Sequence, residues 1–213
     1  MCGGLVLLGS LITSGYTQDA MPFRQLKLHP LEAGVSAVRI EYEAGQGRKS
    51  WQWGMAYVHH VQREGEGFAW VERAPAQGVT FRLARRWYNA KSEAPRGSYF
   101  SPLLFYRLAT TSKTESNLDA EGHYVEEKKH IHYQVLGLQA LFGHQARWGQ
   151  HVTFDVYGGV GARLKYGWVP PQQTDPLYYP TTELLGKTLV SNEQNALLWT
   201  PSLQLGVALG YLF

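Results

Sequence analysis

Residues 152–167, VTFDVYGGVGARLKYG, alternate apolar side chains with polar or small ones along their whole length. Val152 and Phe154 stand at even positions, whereas Thr153 and Asp155 stand at odd positions. A period of two predicts a β-strand, because successive side chains of a strand point to opposite faces of its sheet. Strands of soluble domains usually contain about five or six residues. The length of this segment therefore favours a sheet that spans something thicker than an ordinary protein core.

Seven further segments alternate in the same way and predict seven more strands. They are residues 24–31, 36–44, 50–61, 78–88, 97–110, 132–145 and 202–213. Pro102 lies inside one of them and predicts a local irregularity, because proline has no N–H group to give to a β-ladder. Outside the N-terminal segment no stretch shows a period of 3.6 residues, so the chain is predicted to be all-β.

The connections between these segments alternate in length. The short ones are residues 45–48, 89–96 and 146–150, and the long ones are residues 62–77, 111–131 and 167–201. Long and short connections then fall at opposite ends of the strands, as they do in an up-and-down barrel with both termini at the short-connection end. We therefore predict an eight-stranded antiparallel up-and-down transmembrane β-barrel.

The direction of the apolar faces needs separate arguments. Charged residues make up 17% of the 213 residues, against about 25% in an average soluble protein. Aromatic residues of the apolar faces cluster near strand ends, where the girdles of membrane barrels lie. The predicted girdle comprises Trp51, Trp53, Trp87, Tyr211 and Phe213. Because a closed cylinder also leaves no backbone group unpaired in lipid, we expect apolar side chains to face outward. A soluble lipocalin-like binding protein, with the faces reversed, is the alternative.

The inward faces of such a barrel would carry charge. An eight-stranded barrel has room inside only for its own side chains, and buried charges must be paired. We therefore predict an acid–base network that plugs the lumen; a narrow conducting path is the alternative. The predicted network comprises Lys27, Arg39, Glu41, Glu43, Arg82, Arg86, Arg107, Asp155, Arg163 and Lys165.

Residues 1–20 predict a secretory leader. The apolar stretch at residues 3–12 is too short to cross a bilayer and is followed by small and polar residues. No lysine or arginine precedes that stretch, so we expect the true start to lie upstream of Met1; a buried N-terminal strand is the alternative. Residues 21–213 then form the barrel domain. A single cysteine, Cys2, excludes an internal disulfide framework.

Four segments carry a resemblance to a known family. They are LKLHPLEAGVSAVRIEYE (26–43), APRGSYFSPLLFYR (94–107), LGLQALFGHQARWGQHVTFDVYGGVGAR (136–163) and LGYLF (209–213). Together they resemble small eight-stranded outer-membrane barrels of Bacteroidetes-type Gram-negative bacteria, a family of largely unknown function. The chain departs from that family at His29, usually Asn, and at His144, usually Tyr. The resemblance implies an outer-membrane location, no defined active site, and recognition of Phe213 by barrel-assembly machinery.

Little in the sequence predicts catalysis or metal binding. His59 and His60, like His130 and His132, have no cysteine or carboxylate cluster to complete a ligand set, so we predict no metal and no cofactor. A lipid-modifying enzyme would need a histidine, a serine and a carboxylate near one rim. The candidates for that alternative are His59, His60 and Ser112. The formal charge of +3, without a basic run, argues against nucleic acid as a partner.

The sequence thus predicts a monomeric outer-membrane barrel in contact with lipid and lipopolysaccharide, with a structural or surface-interaction role carried by its long outer loops. Residues 112–130 are polar and are predicted to form a mobile loop. Residues 167–200 contain four prolines and several aromatic residues, so this segment is predicted to fold over the barrel mouth or to bind a protein partner. A lipid-modifying enzyme and an accessory subunit of a larger outer-membrane complex are the alternatives.

Overall fold

The computed structural model describes residues 22–33, 37–59, 76–89, 94–118, 124–168, 187–191 and 195–213. Its strands are β1 (Phe23–Leu28), β2 (Ala37–Gln46), β3 (Lys49–Val58), β4 (Ala76–Tyr88), β5 (Gly97–Leu118), β6 (Tyr124–Trp148), β7 (Val152–Trp168), β8 (Lys187–Ser191) and β9 (Asn195–Leu212). One helical turn, α1 (Pro30–Ala33), follows β1. No helix within these ranges is long and apolar enough to cross a bilayer. The predicted leader, residues 1–20, lies outside the described residues.

Eight of the strands form a closed antiparallel barrel. Each strand from β1 to β6 pairs with the next along the chain, β7 pairs with β9, and β9 pairs back to β1. Gln25 on β1 lies opposite Leu212 on β9, which closes the cylinder. The short strand β8 pairs with the first part of β9. The predicted eight-stranded antiparallel up-and-down barrel is confirmed.

One end of the barrel, which we call the turn end, carries the tight turns and the start of β1. Gly47 and Gly149 lie in two of these turns with φ of +62° and +69°, a region that glycine enters without a steric penalty. At the same end the N–H of Phe213 donates to the carbonyl of Arg24 at 3.2 Å. The opposite end of the barrel is called the loop end.

The loop predicted at residues 112–130 is wrong in large part. β5 and β6 stay paired from Thr111 opposite Ile131 to Leu118 opposite Tyr124. A hairpin satisfies its own backbone hydrogen bonds whatever its side chains, and threonine favours strands, so the polar composition does not end the pairing. The predicted long connections at 62–77 and 167–201 also lose residues to strands, because β4, β7, β8 and β9 extend into them.

β1 is shorter than predicted, because the chain turns at Pro30. The N–H of Glu32 donates to the carbonyl of His29 at 3.1 Å, which starts α1. Proline suits the first position of a helix, where an N–H group would have no helical acceptor. Beyond Leu28, in the direction of the loop end, α1 therefore lies between β2 and β9 and contacts both.

This helical turn leaves the barrel wall incomplete. β9 pairs with β1 at residues 209–212 and with β8 at residues 196–199. Among the described residues, no strand pairs with residues 200–208 of β9 on that side. We call the interval between α1 and residues 200–208 of β9 the wall opening.

Pro102 produces the local irregularity that the sequence predicts. β4 and β5 pair at Ala84 with Leu103 and again at Trp87 with Phe100, while the two intervening pairs are missing. The register is the same on both sides of this gap. On its other side Pro102 remains opposite Ala140 of β6. Proline is therefore accommodated by an interrupted ladder with β4 alone.

The two faces of the barrel differ sharply in polarity. On β7, Phe154 and Val156 are 41% and 47% exposed, whereas Asp155 between them is 0% exposed. On β9, Leu205 is 89% exposed. Apolar side chains therefore face outward, and polar and charged groups fill much of the interior. One sector of the interior is apolar, however, because Leu103, Phe105, Val135 and Leu141 pack together on β5 and β6.

Candidate functional site

The barrel interior is the candidate functional site, and the ten charged residues of the predicted network occupy its inward strand positions. Six are at most 4% exposed: Lys27, Arg39, Glu41, Glu43, Arg86 and Asp155. The other four, Arg82, Arg107, Arg163 and Lys165, are half-buried. From the turn end to the loop end, nine of the ten contribute to two ion-pair clusters and then to a cavity. Lys165 lies nearer the loop end, opposite Val135.

The first group, the turn-end cluster, comprises Lys27, Glu43, Arg86 and Asp155. Lys27 Nζ donates to Asp155 Oδ2 at 2.9 Å and to Gln145 Oε1 at 2.7 Å, and it lies 2.8 Å from Glu43 Oε2. An ammonium group has three donors. All three are therefore satisfied inside the barrel.

Arg86 bridges the same two carboxylates from β4. One of its terminal nitrogens lies 2.7 Å from Asp155 Oδ2 and 3.4 Å from Glu43 Oε2. Its guanidinium carbon stands 4.1 Å from the centre of the Tyr99 ring, a distance at which a cation is attracted to an aromatic face. Arg86 thus contacts β2, β5 and β7 at once and ties their walls together.

Tyrosine hydroxyls donate a hydrogen bond to the second oxygen of each carboxylate. Tyr88 donates to Glu43 Oε1 and Tyr99 donates to Asp155 Oδ1, each at 2.8 Å. Two cations and two carboxylates give the turn-end cluster a formal charge of zero. Burial of charge is tolerated under these conditions, because every ion has an opposite partner and additional hydrogen bonds.

The second group, the middle cluster, comprises Glu41, His29, Arg39, Arg82 and Glu32. His29 Nε2 lies 2.8 Å from Glu41 Oε2, while the Nε atoms of Arg82 and Arg39 lie 3.2 Å and 3.6 Å from Glu41 Oε1. Arg39 also lies 2.7 Å from Glu32, which fastens α1 to β2. Two arginines thus face two glutamates, and the formal charge again sums to zero with His29 neutral.

Neutral side chains join the two clusters into one network. Gln52 donates to Glu41 and accepts from Arg86 Nε at 2.8 Å. Tyr157 accepts from Arg39 and lies 3.1 Å from His29 Nδ1. The space left between the clusters is about 10 Å³, close to the least volume that holds one water molecule.

Glycine makes room for the inward tyrosines. At Gly206 a Cβ atom would collide with the ring and hydroxyl of Tyr157. At Gly143 it would collide with Tyr99 in the same way. The glycine-rich polar faces of the sequence therefore reflect large side chains that lie over the glycine paired with them on the neighbouring strand.

Beyond the middle cluster the interior widens into a cavity of about 210 Å³, the loop-end cavity. Arg107 and Arg163 line it, and each is oriented by a threonine. Arg107 Nε donates to Thr80 Oγ1 at 3.0 Å, and Arg163 Nε donates to Thr200 Oγ1 at 2.7 Å. This part of the interior therefore differs from the two clusters in having both space and an excess of arginine.

The five predicted girdle residues all lie on the outer face near the turn end. Trp51, Trp53, Tyr211 and Phe213 are 43–66% exposed, and Trp87 is half-buried against Phe100, with ring centres 5.8 Å apart. A second set of outward aromatic residues lies toward the loop end. It comprises Tyr57, Tyr166, Trp168 and Trp199.

Arg85 is a charged residue on the outer face of β4. Its guanidinium carbon lies 5.2 Å from the Trp51 ring centre and 5.5 Å from the Trp87 ring centre. Arg85 was not among the residues predicted from the sequence. Its position beside two girdle tryptophans is one where a long cationic side chain can cover apolar surface and keep its charged group near water.

Two of the candidate histidines, His59 and His132, stack on aromatic side chains. His59 stacks on Tyr57 at the outer face, with ring centres 6.2 Å apart, and His60 lies outside the described residues. His132 stacks on Trp168 at 4.7 Å. Within the described ranges, no group of three or more His, Cys, Asp or Glu side chains could hold a metal ion.

The uncharged members of the network were not among the residues predicted from the sequence. They are Gln25, His29, Gln52, Tyr88, Tyr99, Gln145 and Tyr157. Gln25 and His29 lie two residues on either side of Lys27, so the same alternation that selects Lys27 could have selected them. The prediction was restricted to charged residues, whereas each buried carboxylate also needs neutral donors.

Comparisons with family models, with curated proteins and with solved structures give no match to this chain.

Proposed function

We propose that the chain is a monomeric integral outer-membrane barrel with a blocked lumen, and that its long loops carry a structural or surface-interaction role. The observation that carries this proposal is the continuous apolar outer face of a closed barrel whose interior is charged. A soluble barrel would keep its apolar side chains inside, because burial of apolar surface is the main driving force of folding in water. Here that driving force is available only if the outer face is covered by lipid.

The height of the apolar belt supports a bilayer as the cover. Phe154 and Tyr166 mark its two sides on β7, and both face outward. Twelve residue steps of about 3.3 Å, on a strand tilted by about 45°, correspond to a height of about 28 Å. The apolar band of outer-membrane barrels is about 25 Å tall, so the two heights agree.

Aromatic residues and Arg85 support the position of the water boundary. Indole and phenol rings prefer the membrane interface, and the girdle residues lie at the turn-end side of the belt. Arg85 stands between Trp51 and Trp87 at the same level. A charged group is tolerated on the lipid face only near that boundary.

The matched charges of the interior support a blocked lumen rather than a conducting path. Lys27 and Arg86 each contact both carboxylates of the turn-end cluster. An ion crossing the barrel would have to separate these pairs. The wide part of the interior, the loop-end cavity, lies on one side of this barrier.

The outer-membrane location and the resemblance to the Bacteroidetes-type barrels belong to the same proposal. Phe213 faces outward and is 66% exposed, and its recognition by barrel-assembly machinery belongs to this proposal. The lipid-modifying alternative has no supporting contact among the described residues, since His59 stacks on an outward tyrosine. We therefore do not advance it.

Refolding into micelles and vesicles tests the proposal. Urea-unfolded protein added to detergent should give a gel band whose migration changes on boiling, and the same protein should insert into phospholipid vesicles. Protein that is soluble and folded without detergent, with no change on boiling, would refute the membrane assignment. Planar-bilayer recordings should show no channel-sized steps, and steady steps would refute the blocked lumen alone.

A further inference from the structure

The loop-end cavity borders the wall opening, because Glu32 of α1 and residues 202–205 of β9 line it. Its lining includes Arg107 and Arg163 from the interior together with Leu203 and Leu205 from the outer face. These two leucines are 68% and 89% exposed. Glu32 of α1 lines the opposite side. An arginine-rich cavity therefore lies beside the wall opening, and Leu203 and Leu205 of the apolar belt lie on the outer side of the same strand segment.

We propose that this cavity binds an amphiphile whose phosphate headgroup carries a net negative charge: the phosphate enters the loop-end cavity, and the acyl chains leave through the wall opening across Leu203 and Leu205. The inference rests on the proposed outer-membrane function, because lipid must surround the barrel. It goes further by naming a binding site and the chemistry of its ligand.

The charge of the lining favours an anion. The charged residues that line the cavity are Arg82, Arg107, Arg163 and Glu32, and their formal charges sum to +2. Glu32 is held by Arg39 at 2.7 Å, and Arg82 is held near Glu41. Guanidinium groups recognise phosphate through two parallel N–H donors, and the threonine contacts of Arg107 and Arg163 fix their orientation in advance.

A buried amide is a second and independent observation in favour of a ligand in the loop-end cavity. Gln139 lines the cavity and is 5% exposed. Its Nε2 donates to Ser202 Oγ at 2.6 Å, while its Oε1 has no hydrogen-bond partner. A buried polar atom without a partner is costly. A hydroxyl of a phosphate-bearing headgroup, or a water molecule beside it, would satisfy this atom.

The size of the cavity favours an amphiphile over a compact solute. Pockets that enclose whole drug-sized ligands measure about 300–1,000 Å³, and this cavity measures about 210 Å³. It accommodates a headgroup, and anything attached must extend outward. On the outer face, Leu203 and Leu205 lie beside the wall opening, and an acyl chain that extends outward would contact these apolar side chains.

The backbone of β9 gives the wall opening a polar edge. Residues 200–208 have no strand partner on the side of α1 among the described residues. Open sheet edges are tolerated at membrane depth only when they line protein or a water-filled cavity. Ser202 and Gln204, which line the loop-end cavity, belong to this edge. A hydrated headgroup at the opening would therefore satisfy the N–H and C=O groups that point there.

Titration calorimetry on protein refolded in maltoside micelles tests the proposal. The probes are dihexanoyl phosphatidate, dihexanoyl phosphatidylcholine and inorganic phosphate. We expect phosphatidate to bind at least tenfold more tightly than either of the other two. The variants Arg107→Gln and Arg163→Gln should each weaken phosphatidate binding about tenfold or more, since each removes a charged hydrogen-bond donor. Arg147→Gln is the matched control, because Arg147 contacts only turn carbonyls of Gly149 and Gln150 among the described residues, and it should bind as the parent chain does.

Leu203→Ser separates the lipid from the free anion. It should weaken phosphatidate binding and leave inorganic phosphate unchanged. If inorganic phosphate binds as tightly as phosphatidate, the claim that the ligand is an amphiphile is wrong and the cavity is a site for a free anion. Equal affinity of the parent chain for phosphatidate and phosphatidylcholine would overturn the arginine-rich site without any need for a variant. The boiling-dependent gel shift is measured on every sample. A normal shift with no binding refutes this inference alone, whereas loss of the shift in the parent chain refutes the proposed function as well.

Discussion

The turn-end half and the loop-end half of the barrel interior contrast in charge and packing. At the turn end Lys27 and Arg86 are matched by Glu43 and Asp155, and strands surround them on every side although the ladder between β4 and β5 is interrupted at Pro102. At the loop end, arginines line a cavity of about 210 Å³, and α1 replaces a strand in the wall. The contrast indicates that, within one short barrel, different halves of the interior serve stability and ligand binding. The turn end holds the walls together, and the loop end leaves space and charge for a ligand.

The strongest test of this contrast compares one buried acid with one acid near the rim. Asp155→Asn leaves Lys27 and Arg86 facing Glu43 alone in a site where the Asp155 side chain is 1% exposed. We expect the free energy of unfolding in micelles to fall by about 3–5 kcal/mol, the usual cost of breaking a buried ion pair. Glu32→Gln is the control, since the Glu32 side chain is 28% exposed, and it should lose less than about 1 kcal/mol. Equal losses in the two variants would remove the distinction between the halves.

The outer face offers the next largest effect. Val160 lies halfway along β7 and is 56% exposed, whereas Val152 lies at the turn-end margin of the belt and is 41% exposed. In vesicles, Val160→Arg should destabilise the barrel by about 2–4 kcal/mol and Val152→Arg by about 1 kcal/mol or less, because the cost depends on membrane depth. Urea titration of both variants in vesicles measures the difference. Two changes within about 0.5 kcal/mol of zero, as on a water-exposed surface, would argue against lipid around either half.

A pair of glycines tests the packing of the interior. Gly206→Ala places a methyl group against Tyr157, whose hydroxyl belongs to the middle cluster. Overpacking of this kind costs about 1–3 kcal/mol. Gly158→Ala on the outer face meets the flexible end of Leu205 at 3.0 Å and should change stability by less than about 0.5 kcal/mol. If both variants lose a similar free energy of unfolding, the interior accommodates an added methyl group as easily as the outer face does, against our inference.

The smallest expected effect is local. Amide protons of residues 200–208 of β9 that point toward α1 should exchange faster than those of residues 209–212, which pair with β1. Hydrogen exchange followed by NMR in micelles reports such local protection. Uniform protection along β9 would show that the wall opening is closed in solution.

Much of the fold could be predicted from the sequence, because a period of two survives wherever one face is apolar. β7 was located to within one residue at each end from alternation alone. The hairpin formed by β5 and β6 was underestimated, since beyond Thr111 both faces are polar and the alternation disappears. β1 was overestimated, since Leu31 continues the apolar pattern although Pro30 turns the chain into α1.

The interior was predictable to a similar degree. Charge and alternation select Lys27, Glu43 and Asp155 for the lumen, but they do not reveal which cation contacts which carboxylate. That information depends on register between strands that are far apart in the chain. The wall opening was not predictable, because it requires knowing where β1 stops relative to β9.

The central claim, that the apolar face meets lipid, can be measured directly with single-cysteine variants carrying a fluorophore, in a background with Cys2 replaced by serine. The two labelled variants are Val160→Cys on the belt and Gln150→Cys in the β6–β7 turn. In vesicles, bromine atoms on the lipid acyl chains should quench the label at position 160, and aqueous iodide should quench the label at position 150. Quenching of the label at position 160 by iodide, with no effect of brominated lipid, would contradict the account.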